Sequence, residues 1–272
     1  MTTLPGPTLS ARDGAWQVAD HGAQVLAWQP DGHRPVIWFN PERPAVKPDV
    51  IVGGIPVCTP WFGHGPDGDQ DPQHGPARTL DFTRTEATAD DERLHAVLET
   101  SAEGIVVRHE VTMTGQSLDL AATLTNDTDS ARRVELMWHS YLRVGDSMGC
   151  RVTGLDGATW WNTVDDSRGE CQDGTLALAP ATDTVVQGVG DRVGLVDPAW
   201  GRTIRLGTEG CPTVVVWNPH REDRPTGTDP SSQAWRDFVC VETGFAKDHA
   251  LTLDPGSSLT VRTTMEVEPL SS

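Results

Sequence analysis

The chain has 272 residues, with 39 acidic against 21 basic side chains and a formal net charge of −18. That length suits one large β domain, and residues 1–272 are read as a single domain. The charge argues against nucleic acid or an anionic membrane as a partner, and no apolar run is long enough to span a bilayer.

The N-terminal MTTLPGPTLSARDG has neither a basic start nor an apolar core, so no signal peptide is expected. A cytoplasmic monomer is the expectation. The five cysteines are odd in number, scattered, and form no C-x-x-C pair. This argues against a disulfide framework and against a zinc site. Only Lys47 and Lys247 are lysines, so nearly all positive charge is arginine, which grips phosphate or carboxylate in a fork.

In chain order, almost every segment reads as strand. Residues 25–28 (VLAW) are a short apolar run; Asp31-Gly32 reads as a hairpin turn and residues 35–39 as the returning strand. GGIPVCTPWFG (53–63) combines turn-permitting glycines with a stiff apolar ledge, and Trp61 reads more readily as core than as a sugar platform. The polar stretch 62–73 is the longest loop and a candidate functional element. Just beyond, Gln73, His74 and Arg78 either converge on a polar ligand or decorate a solvated loop.

Ile105, Val107, Val111 and Met113 alternate with polar residues, as do Leu118, Leu120, Ala122 and Leu124. VELMWHSYLRVGD (134–146) is a buried strand that carries His139 at the end of its apolar run. Asp183 precedes a strand-like run and alone reads as a turn residue. VVVWNPH (214–220) places Trp217 and Asn218 where they either line a pocket or cap a strand end. A short helix is the best reading of residues 231–238. DFVCVETG (237–244) then carries Glu242 among Val239, Cys240 and Val241, where an isolated carboxylate is costly to bury. Leu259, Val261, Met265 and Val267 make a last alternating strand. Asp-Gly pairs at 13–14, 31–32, 67–68, 156–157 and 173–174 mark turns. The fold class this predicts is all-β, an antiparallel sandwich with little helix.

One acid and one base candidate in separate apolar strands, His139 and Glu242, point to general acid–base chemistry. There is no phosphate-binding glycine loop, no dinucleotide fingerprint and no nucleophile elbow, and the histidines lack metal spacing.

Taken together, GGIPVCTPWFG, PQHGPAR, HSYLRVGD, TDTVV, VVWNPH and FVCVETG, in that order, resemble the hexose-6-phosphate mutarotases (glucose-6-phosphate 1-epimerases) of the aldose 1-epimerase family. The resemblance implies a galactose-mutarotase-like β-sandwich with no cofactor and no metal, acting on a sugar or sugar phosphate. It implies His139 as general acid, Glu242 as general base, and Gln73, His74, Arg78 and Asp183 as substrate-binding residues. The family usually has Arg before Gly-Gly-Ile-Pro; here that residue is Val52, leaving Arg78 and Arg143 to meet an anionic end. Mutarotation needs a base for the anomeric hydroxyl and an acid for the ring oxygen, so the expected resting state is ionised Glu242 facing an at least partly protonated His139. A bell-shaped pH profile follows, with limbs from carboxylate and imidazole whose reference values are near 4.3 and 6.5. A neutral-sugar epimerase, a two-carboxylate glycosidase and a non-catalytic sugar-binding domain are the rival readings.

Overall fold

The computed structural model describes residues 6–40, 50–179, 182–219 and 234–270. Two antiparallel sheets dominate. The larger, of nine strands, runs in the order Thr175–Ala177, Arg151–Thr153, Arg192–Asp197, Arg202–Gly207, Ser258–Pro269, Ser117–Asn126, Ile105–Thr114, Arg93–Ala102 and Thr83–Ala89. The second, of eight strands, runs Arg168–Glu170, Thr159–Asn162, Thr182–Gln187, Thr213–Asn218, Phe238–Phe245, Leu136–Trp138 and Val57–Cys58, with Tyr141–Arg143 also paired to Phe238–Phe245. Helix is confined to short 3-10 turns among the described residues, and no helix there is long and apolar enough to cross a membrane.

Period-two alternation explains the layering. Along Ile105–Thr114 the buried positions are Ile105, Val107, His109, Val111 and Met113, and every intervening residue is half-buried. On the facing sheet Val239, Val241 and Phe245 enter the same core, joined by Val214, Val216, Leu136 and Trp138. Burial of such side chains contributes about 1.5–3 kcal/mol each. The polar member of the alternating row, His109, is satisfied on both nitrogens. Nδ1 lies 3.1 Å from the Ala23 carbonyl, and Nε2 accepts from Trp138 Nε1 at 3.0 Å. Burial pushes its pKa down to about 4.

The predicted turns hold. Gly14, Gly32, Gly68, Gly157 and Gly174, the glycines of the five Asp-Gly pairs, all have positive φ. The hairpin expected around Asp31-Gly32 does not form a strand ladder, and its arms meet in the Val36 N–H bond to the Trp28 carbonyl at 3.0 Å. Val25–Ala27 pairs with Trp16–Ala19 instead, while Ile37 bridges to Leu142 and Phe39 to Gly53. The local turn rule sees only nearby strands, and the available partner edges lie elsewhere. Of the helix expected at 231–238, residues 231–233 lie outside the described residues; Ala234–Asp237 is one 3-10 turn and Phe238 already begins a strand. His220 and Lys47 also lie outside the described residues. All five cysteines are buried and free.

Candidate active site

The strand Phe238–Phe245 is buried along its whole length, so its two faces must be told apart by neighbours. Its odd residues, save Thr243, enter the inter-sheet core. Its even residues face the other side, where cross-strand register builds two rows. Tyr141 pairs with Cys240, Cys240 with Trp217, and Trp217 with Asp183. In the next row Glu242 pairs with Val215, Val215 with Val185, and Val185 with Trp161. All of these residues except Cys240, which is buried in an apolar cluster beside them, line an open cleft of ≈ 400 Å³, a volume within the range of small-molecule sites.

All six residues singled out from the sequence, namely Gln73, His74, Arg78, His139, Asp183 and Glu242, line this cleft. His139 follows the Leu136–Trp138 strand, and its Nε2 lies 3.3 Å from Glu242 Oε1. The imidazole stacks on the Tyr141 ring, centroids 4.9 Å apart and tilted by 15°, and meets Trp217 and His74 edge-on. Glu242 is buried, and its Oε2 has no hydrogen-bond partner. Burial raises its carboxyl well above the ordinary range; the Asp183 carboxylate adds to this and Arg78 opposes it. Burial lowers His139 to about 3, with Arg78 acting in the same direction.

Burial works against the protonation expected from the sequence: desolvation disfavours both charged forms and shifts the pair toward carboxylic acid and neutral imidazole. One proton, transferred across the 3.3 Å contact, separates that state from carboxylate and imidazolium.

The loop from Phe62 to Arg78 forms one wall. His74 has a left-handed backbone, φ +68°, and its Nδ1 accepts from the Gly63 amide at 3.2 Å. Gly75 makes this turn possible: a Cβ there would lie 2.3 Å from the Thr59 carbonyl oxygen. Burial, then the neighbouring His139, Arg78 and Lys247, hold His74 down to about 2. Arg78 is held by Nη2 donating to the Gln73 carbonyl at 2.7 Å. Trp61 lies in the core side of this loop and donates to the Pro72 carbonyl at 2.8 Å, so it is no sugar platform.

Other expectations are corrected. Arg143 does not line the cleft. Charge counting cannot tell which way a strand residue points. Val52 is buried in an apolar cluster with Trp38, Phe238 and Cys240, and is not a cleft residue. Trp217 lines the cleft, whereas Asn218 turns inward and donates to the Trp235 and Phe238 carbonyls.

Sequence reasoning missed several lining residues, among them Tyr141, Trp161, Thr163 and Lys247. Lys247 Nζ donates to the Phe62 carbonyl at 3.2 Å and sits 5.6 Å from the Phe62 ring centroid. It also missed Glu135 beneath them. Glu135 is fully buried; Oε2 accepts from the Phe62 amide at 2.8 Å and Oε1 from the Lys247 amide at 2.6 Å. One carboxylate thus clasps two walls of the cleft. Its signal was present, since a Glu inside VELMW is as conspicuous as Glu242 inside VCVET.

Two packed antiparallel sheets with a carboxyl–imidazole pair flooring an open cleft define the class: the galactose-mutarotase-like β-sandwiches. A galactose mutarotase-like protein from Lactobacillus casei shares the fold, with a TM-score of 0.72 at 16% identity over 96% of this chain and 100% of its own. A crystal structure described as a "putative mutarotase" from Salmonella typhimurium superposes with a TM-score of 0.79 at 25% identity, covering 93% of this chain and 87% of that one. The Escherichia coli K12 protein named "Putative glucose-6-phosphate 1-epimerase" is 30% identical over 234 residues, 84% of this chain and 78% of its own length. The family model for aldose 1-epimerase matches residues 8–266. The chain belongs to the aldose 1-epimerase family, and so is an isomerase that interconverts sugar anomers.

Proposed function

We propose that the protein interconverts the α and β anomers of a hexose 6-phosphate, with His139 and Glu242 as the acid–base pair. The observation that carries this is their 3.3 Å contact on the floor of a cleft that also holds Gln73, His74, Arg78 and Asp183. The relatives named for glucose 6-phosphate support the substrate.

The reaction starts when the resting proton passes from Glu242 to His139. Glu242 then takes the proton of the anomeric hydroxyl while His139 gives its proton to the ring oxygen. The C1–O5 bond breaks and the anomeric carbon becomes an aldehyde. The pair is now carboxylic acid and neutral imidazole, the state that burial favours. Desolvation thereby stabilises the ring-opened complex relative to the ion pair that precedes it. The aldehyde rotates, and the steps reverse to close the ring on its other face. Positioned proton transfer of this kind contributes about 10²–10⁴-fold per group. Asp183, Gln73 and His74 orient hydroxyls, and Arg78 and Lys247 supply the positive charge for the anionic end.

Val52 favours a second reading, an epimerase of neutral sugars, because an apolar residue stands where the family usually carries Arg. Saturation-transfer NMR of anomer exchange on glucose and glucose 6-phosphate side by side separates the two. A higher kcat/KM for the phosphorylated sugar supports the first, and equal or reversed values support the second.

A further inference from the structure

Cys240 has no part in the proton transfers above, yet its position is specific: it is buried beside the cleft in the apolar cluster with Trp38, Val52 and Phe238. Strand alternation puts it on the same face as Glu242, and register puts it between Tyr141 and Trp217. Its Sγ, a carboxylate oxygen of Glu242 and a ring nitrogen of His139 all lie within 4.8 Å of one another, and all three residues are buried. We infer that His139, Cys240 and Glu242 form a three-ligand site for a thiophilic divalent ion of the zinc class, whose occupation blocks the acid–base pair and switches the enzyme off.

The geometry is close to what such an ion requires. Ligands at zinc bond lengths of 2.0–2.3 Å around a tetrahedron are roughly 3.3–3.7 Å apart. His139 Nε2 and Glu242 Oε1 are already 3.3 Å apart, so the adjustment falls on the Cys240 side chain. Independently, Glu242 Oε2 is buried and lacks a hydrogen-bond partner. A cation gives that lone oxygen a partner. His139 also lines the cleft, which leaves a fourth coordination position open to water. Thiolate, imidazole and carboxylate suit zinc or cadmium better than magnesium or calcium.

Charge balance favours the complex. A divalent ion with one thiolate, one carboxylate and a neutral imidazole leaves no net charge in a buried setting. Binding releases the thiol proton and the pair's single proton to water, and no oxidation state changes. Of the other charged groups that face the cleft, Arg78 and Lys247 oppose the ion and Asp183 favours it. Spacing rules look for ligand pairs close in sequence. They overlook this cluster, which is assembled from two segments about 100 residues apart.

The test uses the full chain, Cd²⁺ and Zn²⁺, with two readouts. Cd²⁺ titration of the wild type should produce a thiolate-to-cadmium charge-transfer band that saturates at one equivalent. The same ions should inhibit anomer exchange, reversibly on addition of EDTA. In Cys240→Ala, with each rate expressed against that variant's own rate in EDTA, apparent affinity should fall by at least about 10- to 100-fold, the loss that removing even an outer-shell partner causes. Cys240→Ser replaces it if Ala fails to fold by circular dichroism. Absence of the band in the wild type overturns the site and leaves the sugar chemistry untouched. A band and an inhibition that persist unchanged in the Cys240 variants overturn it too, and direct attention to another thiol such as Cys58. A saturating band with unaffected exchange overturns the switch.

Discussion

His139 Nε2 and Glu242 Oε1 face each other at 3.3 Å from two different segments of the chain, and both side chains are nearly shut off from water. The pair holds one exchangeable proton between two sites that each resist charge. His139→Ala and Glu242→Gln should each lower anomer exchange by about 10²–10⁴-fold, with circular dichroism unchanged. Near wild-type exchange in either variant removes that residue from the mechanism.

The pH profile should be a broad plateau, unlike the narrow bell that the reference values suggest. The acid limb belongs to His139, lowered to about 3, because a second proton on the pair leaves no base. The alkaline limb belongs to Glu242, raised well above its ordinary value, because losing the pair's proton leaves no acid. Exchange above the solvent rate should therefore show no acid limb near 4.3 and no alkaline limb near 6.5. Limbs near 4.3 and 6.5 would mean that the two groups titrate as solvated, independent side chains.

Lys247→Met removes the ammonium and keeps the stem. It should raise KM for glucose 6-phosphate by about tenfold, the lower end for a charge-assisted contact, and leave KM for glucose nearly unchanged. Arg78→Ala should show the same selectivity. Equal effects on both sugars would assign these cations to the walls of the cleft rather than to the phosphate.

Glu135→Gln keeps the shape of the clasp but turns an amide N–H₂ toward one of two backbone donors. Loss of one buried acceptor should cost about 1–3 kcal/mol of stability, read by chemical denaturation. KM should rise more than kcat falls, since Glu135 touches the Phe62 and Lys247 backbones and not the reacting pair. A fall in kcat at constant KM would contradict this.

His109 should impose an acid limit on folding. Its pKa is lowered from 6.5 to about 4 in the folded protein, so the unfolded chain binds the proton first. This contribution is fully present above pH 6.5 and is lost as pH falls from there towards about 4, by about 3 kcal/mol at 1.36 kcal/mol per unit. His109→Gln, compared with wild type by denaturation across that window, should flatten the difference. An unchanged slope would assign the acid sensitivity to other groups.

How much of this was legible depended on the range of the signal. Ile105, Val107, Val111 and Met113 announced their strand because one core enforces one period. His139 and Glu242 were conspicuous as polar groups inside apolar strands. The hairpin at residues 25–39 misled because turn chemistry is local, whereas Ile37 and Phe39 find Leu142 and Gly53. Lys247 belongs to no motif and was marked only by the scarcity of lysine. Arg143 carried the right charge on a strand whose facing sequence could not reveal. The exchange of charge states between His139 and Glu242 was illegible, because it arises from burial that only the assembled cleft creates.

The alternating faces of Phe238–Phe245 have a consequence for how this chain can vary. Val239, Val241 and Phe245 answer to the core, while Glu242 answers to the cleft and Phe238 and Cys240 to the apolar cluster beside it. Point substitutions on one face leave the other's constraints in place, so substrate preference can drift without eroding the scaffold. A single-residue insertion or deletion within the strand has no such freedom: it sends the carboxyl into the core and a valine to the reacting sugar. Lineages of this enzyme should accordingly tolerate replacement along this strand and reject any change in its length.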